Sequence, residues 1–152
     1  MQNKESSITN DKDYKKLLSE WAKHFREMYS KDELLDDFRS GTGLTRSEYL
    51  LKMVFPDKSE GFGPATRSGD FAEILVADFL EFVCNYWIPR IRYDDKATRN
   101  SSTQGSDIVG IKLKKDNEAN QDDELIIFEV KAQFSGKKAK NRLQDAVNDS
   151  NK

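Results

Sequence analysis

The hydrophobic period changes partway along this chain, and the change divides what it can build. From Asp70 to about Asn85 the apolar residues Phe71, Ile74, Leu75, Phe79, Phe82 and Val83 recur at helical spacing. Beyond Trp87 the period drops to two. "WIPRIRY" alternates β-branched and aromatic residues with charges, and Pro89 places its start near a sheet edge. "SDIVGIKL" puts Asp107, Val109, Ile111 and Leu113 on one face. After the polar loop "KKDNEANQDDE" comes "LIIFEVKAQF", and these two strands read as a β-hairpin. "KKAKNRLQDAV" returns to helical spacing, with Ala139, Leu143, Ala146 and Val147 on one side.

Upstream the pattern is helical throughout. Tyr14, Leu17, Leu18, Trp21, Phe25 and Met28 mark one amphipathic helix, and "KDELLDDF" marks a shorter one stopping near Gly41. "TRSE" at Thr45 to Glu48 has the spacing of a capping box and opens a third helix that ends before Pro56. "PDKSEGFGPATRSG" reads as a loop or junction. The expected organisation is therefore an N-terminal helical region over 1–60 and an α/β domain over 61–152. Residues 1–10 are polar and expected to be disordered. His24 reads as a surface or packing residue, and Cys84 as core.

Composition sets limits rather than a function. Charged residues make up 34% of the chain but nearly cancel, to a net charge of -2, so any basic surface must be local. A single cysteine excludes an internal disulfide framework. No segment has the apolar length of a membrane span or the apolar core of a signal peptide, so a cytoplasmic, soluble protein is expected.

The residues that invite chemistry lie in "FEVKAQF". Strand alternation projects Glu129, Lys131 and Gln133 to one face. Glu and Lys are common on solvated strands, so the spacing alone is a weak signal. Asp107 strengthens it, because the hairpin carries the start of the preceding strand toward Glu129. Two converging carboxylates repel unless protonated or neutralised, and a hard divalent cation such as Mg²⁺ would relieve them. Taken alone, Asp107 in "GSD" also reads as a turn residue bonded to its own backbone. Glu73 flanks the strip formed by Ala77, Leu80 and Cys84, where it serves equally as a first-turn cap with Asp70.

A helix with Glu73, then Asp107, then Glu129-Val130-Lys131 resembles the PD-(D/E)xK nuclease superfamily. "RSGDFAEILVADFL", "GSDIVG" and "IIFEVKAQ" are more narrowly similar to the C-terminal domain of HamA of Hachiman anti-phage defence, over Arg67 to about Gln133. The resemblance implies a restriction-endonuclease-like core of helix, three strands and helix behind an N-terminal helical layer. It implies a Mg²⁺-dependent endonuclease acting on DNA, with Mn²⁺ as a substitute and a helicase as partner. Asp107 and Glu129 would bind the metal with the Val130 carbonyl as a further ligand. Glu73 would complete the shell directly or through water, Lys131 would orient or deprotonate the attacking water, and Gln133 would support the nucleic-acid backbone or Lys131. Burial near a metal would lower the Lys131 pKa.

The family fold adds a strand after the last helix, whereas this chain stops at "DAVNDSNK". That reads either as a fragment or as a sheet completed by a partner. Arg90, Arg92, Lys137, Lys138, Lys140 and Arg142 supply local cations for phosphates, although the lysines alone read as an ordinary solvated helix face. No aromatic spacing suggests a stacking platform, and Trp21, Tyr29 and Trp87 read as packing residues. The stripe of Tyr14, Trp21 and Phe25 is expected to dock a partner or cover the groove. The competing reading is a non-catalytic nucleic-acid-binding or helicase-adaptor module on the same scaffold. A third is a purely structural domain for protein contact.

Overall fold

A computed structural model of the chain describes residues 11–90, 98–101, 106–116, 118–134 and 142–150. Helix α1 spans Asp11–Glu27, α2 Leu35–Arg39 and α3 Arg46–Tyr49, which runs on into a π-helical turn at Leu50–Val54. Helix α4 spans Gly63–Asp78 and also widens into a π turn, Phe79–Val83. Strands β1, Ile108–Lys112, and β2, Glu124–Phe128, form an antiparallel pair, and α5 spans Arg142–Ser150. The architecture is a mixed one of helices and a small sheet.

The capping box forms as expected. Thr45 Oγ1 accepts the Glu48 N–H at 3.3 Å, and Glu48 Oε2 accepts the Thr45 N–H at 2.9 Å. The short helix before it starts later than its sequence suggests, at Leu35, and the chain leaves it through Gly41 at φ 77°. Leu35 is wholly buried.

Helix α4 begins seven residues before the expected Asp70, inside the segment read as a loop. Pro64 explains this. It occupies the first turn, where its missing N–H would have no intrahelical partner in any case and its fixed φ already suits a helix. Gly63 is needed for close approach, since a Cβ there would lie 2.4 Å from the Asp57 carbonyl oxygen. The Asp57 carboxylate in turn accepts the N–H groups of Ser59 and Glu60. Asp70 is consequently mid-helix and caps nothing. It is buried and accepts the Tyr29 hydroxyl at 2.8 Å.

The stripe read along α4 is split: Ile74 is wholly buried, but its aromatic members do not enter the core formed with the hairpin. Phe71, Phe79, Phe82 and Val83 are exposed, whereas Ala77 and Leu80 join Ile88 and Ile108, flanked by Val76, Cys84, Tyr86, Ile126 and Val130. The strip of Glu73, Ala77, Leu80 and Cys84 also turns inward, and Cys84 packs at the core margin as expected.

The hairpin register pairs Ile108 with Phe128 and Lys112 with Glu124. Gly110 sits opposite Ile126, and an added Cβ would meet Ile126 Cγ1 at 2.8 Å and Ile88 Cδ1 at 3.0 Å, so glycine is what lets those isoleucines cross the strand. The opposite face, carrying Val109, Ile111, Leu125 and Ile127, is the open one: Leu125 is 67% and Ile127 63% exposed.

The expected third strand is reduced, among the described residues, to one bridge. Trp87 and Ile111 exchange both backbone bonds, at 2.7 and 2.9 Å. Two residues on, the next such pair would need an N–H from Pro89, which has none, so the ladder stops there. Residues 91–93 of that segment lie outside the described residues.

The helices before residue 60 are fastened to α4 by side chains. His24 Nε2 contacts both Asp78 oxygens at 3.0 and 3.1 Å, and Arg90 reaches Asp78 at 2.7 Å and Glu81 through its Nε at 2.7 Å. Phe25 packs on Phe71 with centroids 4.9 Å apart. The first three turns of α1 remain open: Tyr14, Leu17, Leu18 and Trp21 are each about half exposed.

Candidate functional site

Extending the register by one step places Asp107 directly opposite Glu129, at the end of the hairpin away from its loop. Residues facing each other across an antiparallel ladder share a face, so the two carboxylates stand side by side. The pairing is reinforced locally, because Asp107 Oδ2 accepts the Val130 N–H at 2.7 Å. This contact also explains why β2 ends at Phe128 rather than continuing through Gln133 as expected. The Val130 N–H is given to a side chain, and Glu129 to Phe134 run on without ladder bonds. Asp107 therefore fixes the strand that carries its partner, which is a different task from bonding its own turn.

Electrostatics follow from that geometry. Burial raises the Glu129 pKa above 4.5, and the adjacent Asp107 charge and hydrogen bond raise it further, against a lowering by Lys131. The donor set suits a hard divalent cation, with two carboxylates and the Val130 carbonyl within one short stretch.

Lys131 is engaged by a residue that sequence reasoning missed. Its Nζ lies 2.7 Å from Asp149 Oδ2 on α5. That hydrogen bond, with the charges of Asp149, Asp107 and Glu129, raises the Lys131 pKa above 10.5 despite some opposing burial. The direction is opposite to the lowering expected. Nothing in the local sequence marks Asp149, eighteen residues downstream in a polar tail.

Glu73 is buried at the head of the inward strip of α4. Among the described residues no three His, Cys, Asp or Glu side chains stand together as a metal-binding group, so Glu73 is not gathered with Asp107 and Glu129 in this conformation. Gln133 is partly buried, and beside it Phe134 packs edge-on against Phe71 with centroids 5.2 Å apart.

The cations divide. Arg90 is committed to Asp78 and Glu81 and lies over the Phe82 ring, so its charge is spent inside the fold. Arg142 pairs with Asp145 at 3.2 Å. Arg92, Lys137, Lys138 and Lys140, with Gly105, lie outside the described residues. His24, read as a surface or packing residue, is hydrogen-bonded to Asp78, 54 residues away.

No described helix is long and apolar enough to cross a membrane. No curated protein and no solved structure matches the chain. A family model does, described as HamA and matching residues 3–152, so the likeness extends well beyond Arg67 to Gln133 into both the N-terminal helices and α5. By that match over nearly its whole length, the chain belongs to the HamA family.

Proposed function

We propose that this protein is a metal-dependent nuclease that hydrolyses DNA phosphodiester bonds, acting in the cytoplasm within the Hachiman anti-phage defence to which its family is linked. The observation that carries the reading is the opposition of Asp107 and Glu129 across the hairpin, with Lys131 two residues on. The packing of α4 against that hairpin is compatible with a restriction-endonuclease-like core. The free Cys84 accords with a reducing compartment.

Asp107, Glu129 and the Val130 carbonyl would hold Mg²⁺ or Mn²⁺, with Glu73 joining through water. When bound, the ion supplies an electrophile that draws charge from a phosphoryl oxygen. Lys131, kept protonated by Asp149, is suited to offset negative charge on the phosphorane-like transition state and to orient the attacking water by donating to it, rather than to accept its proton. Gln133 would steady the backbone of the strand being cut. A helicase partner would supply the DNA.

The Lys131–Asp149 pair also favours a second reading. An ammonium tied to a carboxylate in this way serves the packing of α5, which suits a module that docks nucleic acid or a helicase through other groups without cutting. Cleavage of plasmid and single-stranded DNA in Mg²⁺ or Mn²⁺, with and without the helicase partner, separates the two. The nuclease reading expects wild-type cleavage lost in both Asp107→Ala and Lys131→Ala. Equal cleavage by all three proteins overturns it.

A further inference from the structure

Between α1 and the first turns of α4 lies a cavity of about 170 Å³ that none of the chemistry above uses. Its walls include four rings, Phe25, Tyr29, Phe55 and Phe71, and two guanidinium groups, Arg26 and Arg67. Phe25 and Phe71 lie 4.9 Å apart at a 31° tilt, and Tyr29 meets Phe55 edge-on at 5.2 Å.

The polar groups around this cavity are unequally spent. The Tyr29 hydroxyl is given to Asp70. Arg26 pairs through Nη2 with Asp32 at 2.6 Å, which neutralises it, yet its buried Nε meets no acceptor among the described residues. Arg67 is exposed and takes no ion-pair partner among them. A purely apolar ligand would gain nothing from Arg67, and a simple anion would gain nothing from four rings. A flat aromatic group carrying a negative charge satisfies both. The volume falls below the roughly 300–1,000 Å³ of drug-sized sites and suits a single ring system.

Position narrows the class further. The Phe71 wall packs on Phe134, three residues after Lys131, and three residues of extended chain span at most about 11 Å. The cavity therefore adjoins the stretch that bears the carboxylate pair.

We propose that this pocket receives an unpaired nucleotide of a DNA strand, its base against Phe25, Phe55 and Phe71 and its phosphate on Arg67, which makes single-stranded or frayed DNA the substrate class. The role assigned to it rests on the nuclease reading; the binding itself does not. Stacking on aromatic walls tolerates any base, so the pocket selects strandedness and not sequence.

The test is binding by the full chain in EDTA, where cleavage is silent, to a single-stranded oligonucleotide carrying a fluorescent adenine analogue. Wild type is expected to bind and quench the analogue, while Arg67→Glu, its melting unchanged, binds at least about tenfold more weakly. Arg67→Lys should recover part of the loss. Failure of wild type to bind, or equal binding and quenching by Arg67→Glu, overturns the assignment. Competition by free deoxyadenosine monophosphate as effective as by the oligonucleotide also overturns it, in favour of a small-molecule site. Binding that passes every arm without any Mg²⁺-dependent cleavage leaves the pocket standing and removes the nuclease reading alone.

Discussion

Replacing Glu129 by Gln should stabilise this protein while removing its proposed function. Asp107 and Glu129 face each other at the open end of a two-stranded ladder, where directly opposed like charges cost on the order of 0.2–1 kcal/mol. E129Q keeps the shape, removes one charge and offers an amide donor to Asp107. It also forfeits an attraction to Lys131, but that ammonium is already held by Asp149 at 2.7 Å. The net gain expected at pH 7 is about 0.5–1 kcal/mol, or roughly 1–4 °C in Tm for a chain of this size. The pH profile gives the sign independently. Because the folded Glu129 pKa is raised, by burial first and then by Asp107, ionising it costs the native state more than the unfolded one. Wild type therefore loses stability as pH rises from about 4.5 through the folded pKa, and E129Q does not. Thermal melts at pH 4.5 and 7 in EDTA should converge at the lower pH and separate at the higher. Added Mg²⁺ should then raise the wild-type Tm only. An E129Q protein that melts below wild type at pH 7 refutes the claim that this carboxylate pair is held against its own repulsion.

Four further outcomes test the scaffold around that pair. Gly110→Ala should cost about 1–3 kcal/mol in urea unfolding, since its methyl would collide with Ile126 and Ile88. Asp78→Ala should cost at least about 1–3 kcal/mol and expose α1 to limited proteolysis, because it strips both His24 and Arg90 of an acceptor that is itself buried. Asp149→Asn should leave the fold intact and raise turnover by releasing Lys131 if the ammonium acts on the phosphate, whereas no variant cleaves if the module only binds. The carboxyls of Asp36, Glu48, Asp57 and Asp123 are held below their ordinary values by hydrogen bonds, from Arg46, Thr45, Ser59 and Lys114 respectively as the largest cause. Their stabilisation is full above the unfolded values near 4 and is lost as pH falls through the folded ones, so urea midpoints should drop between about pH 4 and 2.

What was legible in the sequence was local. The capping box at Thr45, the hairpin from Ile108 to Phe128 and the end of the long helix near Asn85 each depend on residues a few positions apart. The face of α4 was not legible by hydrophobicity, because Phe71, Phe79 and Phe82 outweigh Ala77 on any transfer scale. Ile74 of the same stripe is buried, while toward the hairpin the helical segment presents Ala77 and Leu80 and leaves those rings outside. Its start was misplaced because Pro64 and Gly63 carry opposite meanings at a helix entrance and within a loop, and only the contact with Asp57 decides between them.

The candidate site divides in the same way. Asp107 and Glu129 could be brought together on paper because a hairpin register is an arithmetic constraint, and once one pair is fixed every other pair follows. Asp149 could not, nor could the ring-lined cavity, because helix-to-strand and helix-to-helix docking obey no such rule. The two missed features act on the two foreseen ones. Asp149 holds the Lys131 ammonium and raises its pKa further, and Phe134 ties the motif segment to α4 through Phe71. The chemistry of this site is thus written in adjacent residues, while its control is written in contacts between distant ones, which is why motif residues alone do not tell a cutting enzyme from a clamp.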